Sequence, residues 1–161
     1  MNIVNELQIN NMKLELSFKD AIETVGMPLV RLLVNGHEGY FLVDTGANVI
    51  IIDEKFAKEV EAVETETTLS ATTSIGGDTP VKRSYLVSFT IGGTCISDIP
   101  CAESDLSAAN DFLGDSGYSL DGLIGMNVMI PLHAVVDVAG CTLAFNLPGI
   151  EKTEEQTDKK N

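Results

Sequence analysis

The sequence is poor in basic residues, aromatic residues and cysteines, and each shortage narrows what the protein can do. Ten lysines and arginines stand against 24 aspartates and glutamates in 161 residues, which gives a net charge of −14. Nucleic acids and anionic membranes bind proteins through cations, so neither is expected as a partner. Tryptophan is absent and aromatic residues make up 6%, so the core must consist mainly of Ile, Leu and Val. A chain of this size buries about two thirds of its unfolded surface, enough for one domain.

The three cysteines have neither the number nor the spacing of a disulfide framework or a zinc site. We expect Cys95, Cys101 and Cys141 to be buried free thiols in a reducing compartment, and we predict no metal or cofactor. No basic stretch followed by an apolar one marks a signal peptide, and no apolar run approaches the ~20 residues of a membrane span. A cytoplasmic protein is therefore expected, although a chain trimmed of an export signal would look the same.

Most of the sequence has the patterns of short β-strands joined by turns that contain glycine. Apolar residues alternate with polar ones at 12–18, as expected for a half-buried strand. Asn35-Gly36 lies between two apolar runs and predicts a tight hairpin, because both residues accept positive φ. Gly92-Gly93 predicts a second hairpin in the same way. Further strands are predicted at 28–34, 40–43, 49–52, 85–91, 94–99, 134–138 and 141–147.

Helices are expected to be few and brief. One begins after Asp53, whose carboxylate can cap it, and another covers residues 126–130. The inner face of the first helix is predicted to include Phe56, Val60 and Val63. The polar, glycine-punctuated stretch 102–119 is predicted to be a long connection with one helical turn. The predicted fold class is therefore all-β with one or two short helices, formed by a domain over residues 1–150 and a disordered hydrophilic tail at 151–161.

The segment Asp44-Thr45-Gly46 places a carboxylate between two apolar strands. Tyr40–Val43 precede it and Val49–Ile52 follow it, so the charge of Asp44 would lie beside a low-dielectric core, where ionisation is costly. Gly46 would let backbone or ligand approach closely, and the Thr45 hydroxyl could fix the loop. Taken alone, the tripeptide is equally compatible with an ordinary surface turn.

Two more motifs follow in a defined order. A hairpin with glycines at its tip is predicted around Ile75-Gly76-Gly77, and Leu123-Ile124-Gly125 open a short helix. In this order the three motifs resemble the retropepsin-like aspartic proteases, the single-lobe relatives of pepsin, over about residues 27–147. The resemblance implies a closed β-barrel or sandwich with a flap hairpin. It also implies that the apolar-apolar-Gly segment crosses behind the catalytic loop.

The resemblance implies an aspartic endopeptidase that hydrolyses an extended peptide or protein substrate. Asp44, Thr45 and Gly46 would form its catalytic loop. The substrate-binding residues implied by the resemblance are Ala47, Asn48, Ile75, Gly76, Gly77 and Leu123. Aspartic proteolysis needs two carboxylates that share one proton around a water molecule. This chain has one Asp-Thr-Gly and is too short for two such lobes, so a homodimer is expected in which each copy contributes Asp44.

The sequence departs from the retroviral members of the family at two positions near these motifs. Met126 stands where those members have arginine, so their loop-stabilising ion pair is not expected, and Asn48 stands where Ser, Thr or Asp is common. Two other interpretations are a catalytically silent homodimerisation or peptide-binding module on the same fold and an acidic β-rich structural protein. The first would not need the carboxylate of Asp44, and the second leaves the ordered motifs unexplained.

Overall fold

The computed structural model describes residues 9–66, 69–73, 77–79 and 81–150, which form twelve strands and four short helices. In chain order these elements are β1 (Ile9–Ser17), α1 (Lys19–Val25), β2 (Leu29–Val34), β3 (His37–Val43), β4 (Ile50–Asp53), α2 (Glu54–Glu59), β5 (Val63–Thr65), β6 (Ala71–Thr73), β7 (Gly77–Thr79), β8 (Ser84–Ile91), β9 (Thr94–Ser104), α3 (Ser107–Leu113), β10 (Gly122–Ile124), α4 (Met126–Met129), β11 (Val135–Asp137) and β12 (Thr142–Ile150). The tail predicted at 151–161 lies outside the described residues.

Six strands close into a barrel, which confirms the predicted fold class. The hydrogen-bonded order is β2-β3-β10-β4-β9-β8, and β8 pairs with β2 to complete the ring. Most neighbours are antiparallel, but β10 runs parallel to β3 and β4 runs parallel to β9. A closed ring leaves its strands without open edges, so their backbone groups are paired on both sides. The short strand β5 extends the sheet from one end of β8.

The barrel interior is aliphatic around a small group of phenylalanines. The Phe41 ring packs edge-on against the rings of Phe56 and Phe89, with centroids 6.0 and 5.6 Å apart. Phe18 and Phe145 are also buried, whereas Phe112 is 79% exposed. A second apolar cluster lies against the other face of the sheet and consists of Ala21, Leu29, Ile51, Ala71, Ala102, Leu113, Leu120 and Leu123.

A separate three-stranded sheet joins the two ends of the described chain. β1 pairs with β12 over nine residues, from Ile9 opposite Ile150 to Ser17 opposite Thr142, and β11 lies on the other side of β12. Leu14 is buried on the inner face of β1, as the alternating pattern predicts. Both neighbours of β12 come from the same chain, and β1 and β11 are the edge strands of this sheet.

The predictions that depended on local turn and cap residues are confirmed. Asn35 and Gly36 have φ of 49° and 83° and join β2 to β3, and Gly92 and Gly93 join β8 to β9 with φ of 55° and 80°. The Asp53 side chain accepts a hydrogen bond from the Lys55 N–H at 3.3 Å and caps α2 as predicted. The boundaries of the predicted strands agree to within three residues, except that β9 continues five residues past its predicted end.

Several other predictions are wrong. Helix α1 lies where no element was predicted, and α3 makes two turns within a stretch predicted as a connection with one. Residues 102–104 of that stretch belong to β9. Val63 is not on the inner face of α2, because the helix ends before Glu61, whose φ is 51°, and Val63 is 66% exposed in β5.

The cysteines differ from one another, which corrects the expectation that all three are buried. Cys101 is buried, its thiol donates to the Tyr85 carbonyl at 3.6 Å, and burial raises the pKa of the Cys101 thiol to about 12. Cys141 is partly buried and Cys95 is exposed. All three are free thiols. No helix in the described part of the chain is long and apolar enough to span a membrane.

Candidate active site

The loop that carries Asp44 is a turn between β3 and β4 that hydrogen-bonds to itself and to β10. The Gly46 N–H donates to Asp44 Oδ1 at 2.9 Å, and the Ala47 N–H donates to the Asp44 carbonyl at 3.2 Å. The Asp44 N–H donates to the Ile124 carbonyl at 3.2 Å. Among the described residues, no hydrogen bond reaches the second carboxylate oxygen of Asp44. The carboxylate is thus held at one oxygen, while Thr45 and Gly46 beside it are exposed.

Strand β10 passes directly behind this loop, between β3 and β4. Gly122 begins the strand, and a Cβ there would overlap the Ile51 carbonyl oxygen and the Phe41 ring. Glycine is required at this position by the close approach of its neighbours, because any side chain would push β4 and the core apart. The structure therefore contains the crossing segment that the resemblance implied.

Gly125 ends the crossing segment and lies against the backbone of the loop. A Cβ at Gly125 would overlap the Val49 carbonyl group and would lie 3.0 Å from the Ala47 carbonyl oxygen. The next residue, Met126, donates its N–H to that same Ala47 carbonyl at 2.8 Å and begins α4. The loop is therefore supported from behind by backbone atoms, which cannot rotate away as side chains can.

Asn127, in α4, holds β4 in place through its side chain, a role that the sequence analysis did not predict. Its Oδ1 accepts from the Ile50 N–H at 2.8 Å and its Nδ2 donates to the Pro100 carbonyl at 3.0 Å. Its N–H also donates to the Asn48 carbonyl at 3.1 Å. An asparagine in the otherwise apolar run Met126–Met129 was the available signal, because a polar side chain there needs buried partners.

Asn48 reaches in the opposite direction, toward β6. Its Nδ2 donates to the Ser70 carbonyl at 2.8 Å, and its Oδ1 accepts from the Thr72 N–H at 2.8 Å. The backbone N–H of Asn48 donates to the Thr72 carbonyl at 3.3 Å. Asn48, which was predicted to bind substrate, thus uses its side-chain amide on the base of the β6–β7 hairpin.

The other residues that were predicted to bind substrate lie at different depths. Ala47 is fully buried beneath the loop, and Leu123 is 8% exposed within the second apolar cluster. Gly77 begins β7, where it pairs with Thr73 in an antiparallel hairpin at the position of the predicted flap. Ile75 and Gly76, at the predicted tip, lie outside the described residues.

Two apolar grooves flank the loop, one on each side. The first is lined by Gly46, Ala47, Asn48, Met126, Asn127, Ile130 and Pro131. The second is lined by Phe18, Ile22, Pro28, Val43, Thr45, Val136, Val138 and Cys141. Neither set contains a charged side chain, although the chain has a net charge of −14.

Ile130 is 65% exposed and Val138 is 77% exposed. We call the surface formed by Thr45, Gly46, Ile130 and Val138 the loop face.

Asp121, which directly precedes the crossing segment, is a second carboxylate near β10 and lies away from Asp44. Its Oδ2 accepts from the Tyr40 N–H and from the Ser119 hydroxyl, both at 2.8 Å. Burial raises the pKa of the Asp121 carboxyl, and these two hydrogen bonds partly oppose that change. Asp121 precedes β10 while Asp44 contacts the strand's last residue, a separation of about 10 Å along the strand. The described residues contain no cluster of three or more His, Cys, Asp or Glu that could hold a metal ion.

Comparisons with known proteins agree with this arrangement. The sequence model of the aspartyl protease family matches residues 30–128. No curated protein gives a significant sequence match. The structure is similar to that of a retropepsin-like aspartic protease from Rickettsia conorii, with a TM-score of 0.51 and 16% identity, covering 92% of this chain and 100% of that one. It is also similar to EIAV protease complexed with the inhibitor HBY-793, with a TM-score of 0.50 and 17% identity, covering 70% of this chain and 93% of that one.

The family match contains both parts of the site described above. Residues 30–128 include the Asp44 loop and the crossing segment from Gly122 to Gly125. The structural matches extend the likeness to the whole barrel, since one of them covers nearly all of this chain. The matched segment is more than half of the sequence, and the chain therefore belongs to the aspartyl protease family and has the retropepsin-like fold.

Proposed function

We propose that this protein is an aspartic endopeptidase whose active site forms when two copies bring their Asp44 carboxylates together. The observation that carries the proposal is the Asp44 loop itself. Ile124 and Gly125 support the loop from behind, and Thr45 and Gly46 are exposed in front. Within the described part of the chain, only Oδ1 of the Asp44 carboxylate accepts a hydrogen bond, so Oδ2 is available to another group. A carboxylate oriented in this way can share a proton and a water molecule with a second one.

The chemistry of the pair follows from the repulsion between two nearby negative charges. At a separation near 3 Å and an effective dielectric of about 20, the repulsion is about 5 kcal/mol, or roughly 4 pK units between the two ionisation steps. One carboxylate is then ionised and takes a proton from water, which attacks the scissile carbonyl carbon. The protonated carboxyl donates to the carbonyl oxygen, and the leaving amine finally receives a proton as the C–N bond breaks. Since only the singly protonated pair is competent, the rate should be bell-shaped in pH.

The second carboxylate must come from another molecule. Asp121 directly precedes the crossing segment, but it lies at the other end of β10 from Asp44, and its Oδ2 is occupied by Tyr40 and Ser119. No other described carboxylate is hydrogen-bonded or paired to Asp44. A two-fold axis beside the Asp44 loop supplies an identical carboxylate with identical support.

The loop face is the surface through which two copies would associate. It carries exposed apolar side chains, Ile130 and Val138, on either side of Thr45 and Gly46. Two chains of net charge −14 repel each other, so contact is favoured where charged side chains are missing. Burial of exposed apolar surface then supplies the attraction.

The substrate class that fits this arrangement is an extended peptide or unfolded protein. The β6–β7 hairpin lies beside the loop, and Asn48 joins the two. A peptide between a hairpin and a loop can add backbone hydrogen bonds as a strand does. Met126 and Pro131, which line the groove beside Gly46 and are not part of the loop face, are apolar and favour apolar side chains next to the scissile bond.

Asp44→Asn tests this proposal. The variant keeps an oxygen that can accept from the Gly46 N–H, but it cannot act as the base. Cleavage of an unfolded protein should fall by at least about 10²-fold, the usual contribution of general acid–base catalysis, while sedimentation shows unchanged assembly. Asp98→Asn, at an exposed position of β9, is the matched control and should leave cleavage unchanged. Undiminished cleavage by Asp44→Asn would refute the assignment. A stable wild-type dimer that cleaves no unfolded substrate would instead indicate a silent binding module.

A further inference from the structure

We infer that Asn48 is a positioning residue that fixes the β6–β7 hairpin strands relative to the catalytic loop. Three hydrogen bonds carry this inference: Nδ2 to the Ser70 carbonyl at 2.8 Å, the Thr72 N–H to Oδ1 at 2.8 Å, and the Asn48 N–H to the Thr72 carbonyl at 3.3 Å. The backbone N–H of Asn48 thus bonds to Thr72 of β6 as a neighbouring strand residue would. Its side chain adds two hydrogen bonds, to Ser70 and Thr72, and β6 pairs with no strand of the barrel.

The hairpin needs such a connection because β6 and β7 form a two-stranded sheet separate from the barrel. An isolated two-stranded sheet is marginally stable in water, so its position depends on what holds its base. Ala71 is 2% exposed in the second apolar cluster and supplies one attachment. Asn48 supplies a directional one, four residues after Asp44. The Asn127 N–H donates to the Asn48 carbonyl at 3.1 Å, so Asn48 is bonded to α4 as well as to the hairpin.

An amide is the side-chain group that suits this position. Its NH₂ donates to the Ser70 carbonyl while its oxygen accepts from the Thr72 N–H, so both roles are filled in one planar group. An ionised carboxylate can only accept, and one of its oxygens would then face the Ser70 carbonyl oxygen. A protonated carboxyl can again donate and accept. The departure from Ser, Thr or Asp at position 48 therefore has a chemical reason.

This difference between the two forms of a carboxyl makes the inference testable by pH. In N48D, the Ser70 carbonyl favours the protonated form and raises the pKa of the introduced carboxyl, while the Thr72 N–H favours the ionised form and partly opposes that change. The bond to the Ser70 carbonyl should be intact below that pKa and lost as pH rises through it, while the bond from the Thr72 N–H can form with either form of the carboxyl. The nearby titratable residues are Asp44 in the same loop and Asp78, which is opposite Thr72 in the hairpin register. Residues 69–73 and α4 carry none.

The experiment measures backbone amide exchange of residues 69–73 in the full chain between about pH 3 and pH 7, within the range where circular dichroism shows each protein folded. Every rate is divided by the wild-type rate at the same pH, which removes the intrinsic pH dependence and the titration of shared groups. N48A should exchange about tenfold faster at all pH values, as expected for the loss of two hydrogen bonds. N48D should match the wild type in acid, and near neutral pH it should exchange at a rate between those of the wild type and N48A, because its carboxylate can still accept from the Thr72 N–H.

N35D is the matched control because Asn35 uses its amide in the same way far from the site. Its Nδ2 donates to the Val60 carbonyl at 3.1 Å and its Oδ1 accepts from the Ser88 N–H at 2.9 Å. N35D should leave the exchange of residues 69–73 unchanged. Unaltered exchange in N48A, or equal and pH-independent exchange in N48A and N48D, would overturn the inference.

Activity gives a second measurement, and this one rests on the proposed function. The ratio of kcat/KM for N48D to that of the wild type should fall as pH rises, in parallel with the exchange ratio. For N48A the ratio should be low and independent of pH. If exchange behaves as expected while no protein in the series cleaves substrate, the role of Asn48 stands and the proposed protease activity fails. If cleavage changes in N48A without any change in exchange, Asn48 contacts substrate and the inference fails.

Discussion

The two sides of the Asp44 loop are built in opposite ways. On the inner side, the Ile124 carbonyl binds the Asp44 N–H, and Gly125 lies so close to the loop backbone that it has no room for a methyl group. On the outer side, Thr45 and Gly46 are exposed between Ile130 and Val138, two apolar side chains that are mostly uncovered. The chain therefore fixes the position of its carboxylate by itself, and the residues in front of that carboxylate are exposed.

This contrast separates stability from assembly. Protein interiors are close-packed, so an added methyl group on the inner side must displace neighbouring atoms and destabilise the fold. Exposed side chains contribute little to the stability of a monomer, so a change on the outer side should leave folding nearly unaffected. Substitutions on the two sides should accordingly affect different measurements.

The largest effect is expected from Gly125→Ala on the inner side. The added methyl overlaps the Val49 carbonyl group and approaches the Ala47 carbonyl, and both are backbone atoms that cannot change rotamer. We expect the free energy of unfolding to fall by about 2–3 kcal/mol, as for other overpacked cores, and the remaining folded protein to have impaired cleavage. Urea unfolding measures the first effect, and turnover at a temperature where the variant is folded measures the second.

Gly36→Ala is the control for this prediction. Gly36 has φ of 83°, which strains alanine, but nothing lies within 4 Å of the added methyl. The cost should be about 1–2 kcal/mol from backbone conformation alone, with cleavage unchanged. An equal loss of cleavage in both variants would show that the inner side does not position Asp44 in the way described.

A smaller effect, on assembly alone, is expected from Val138→Asp on the outer side. Val138 is 77% exposed and lines the same groove as Thr45, so a carboxylate there adds charge to the loop face. The dimer Kd should rise by about tenfold or more, because the new charge would lose water on association. The free energy of unfolding should change by less than about 0.5 kcal/mol. Sedimentation across a concentration series measures the Kd.

Val63→Asp provides the comparison for that effect. Val63 is 66% exposed in β5 and lines neither groove, so the same substitution there should leave the dimer Kd unchanged. If Val138→Asp and Val63→Asp behave alike, the loop face is not the surface of association.

Sequence patterns predicted those parts of the fold and site that depend on residues close together in the chain. The Asn35-Gly36 turn, the Asp53 cap and the Asp44 loop each depend on a few neighbouring residues. Helices α1 and α3 were harder to predict, because the residues that precede them, Phe18 and Leu106, cap no helix with their side chains. A signal for α3 did exist in Asp105, whose carboxylate accepts from the Ser107 N–H at 2.9 Å.

The supports of the loop depend on contacts between distant parts of the chain, which local patterns cannot reveal. Asn127 binds Ile50, 77 residues away, and Asn48 binds Thr72, 24 residues away. Each pairing is set by the closure of the barrel or by the placement of the hairpin. The sequence shows that Asn48 departs from the residues common at this position, but it does not show that the partners of Asn48 are Ser70 and Thr72.

The central claim, that one active site needs Asp44 from two chains, is tested most directly by mixing subunits. A fixed amount of wild-type protein is equilibrated with increasing Asp44→Asn protein near the dimer Kd, so that chains exchange, and cleavage of an unfolded protein is measured. Dimers of one intact and one substituted chain have a single carboxylate and should be inactive. An about ninefold excess of variant should therefore reduce the activity about sixfold when the wild-type concentration equals the Kd, and about tenfold when nearly all chains are dimeric. Val138→Asp added to the Asp44→Asn chain should weaken this inhibition. Activity that stays constant at every ratio of variant to wild type would show that each chain acts alone and would contradict the shared site.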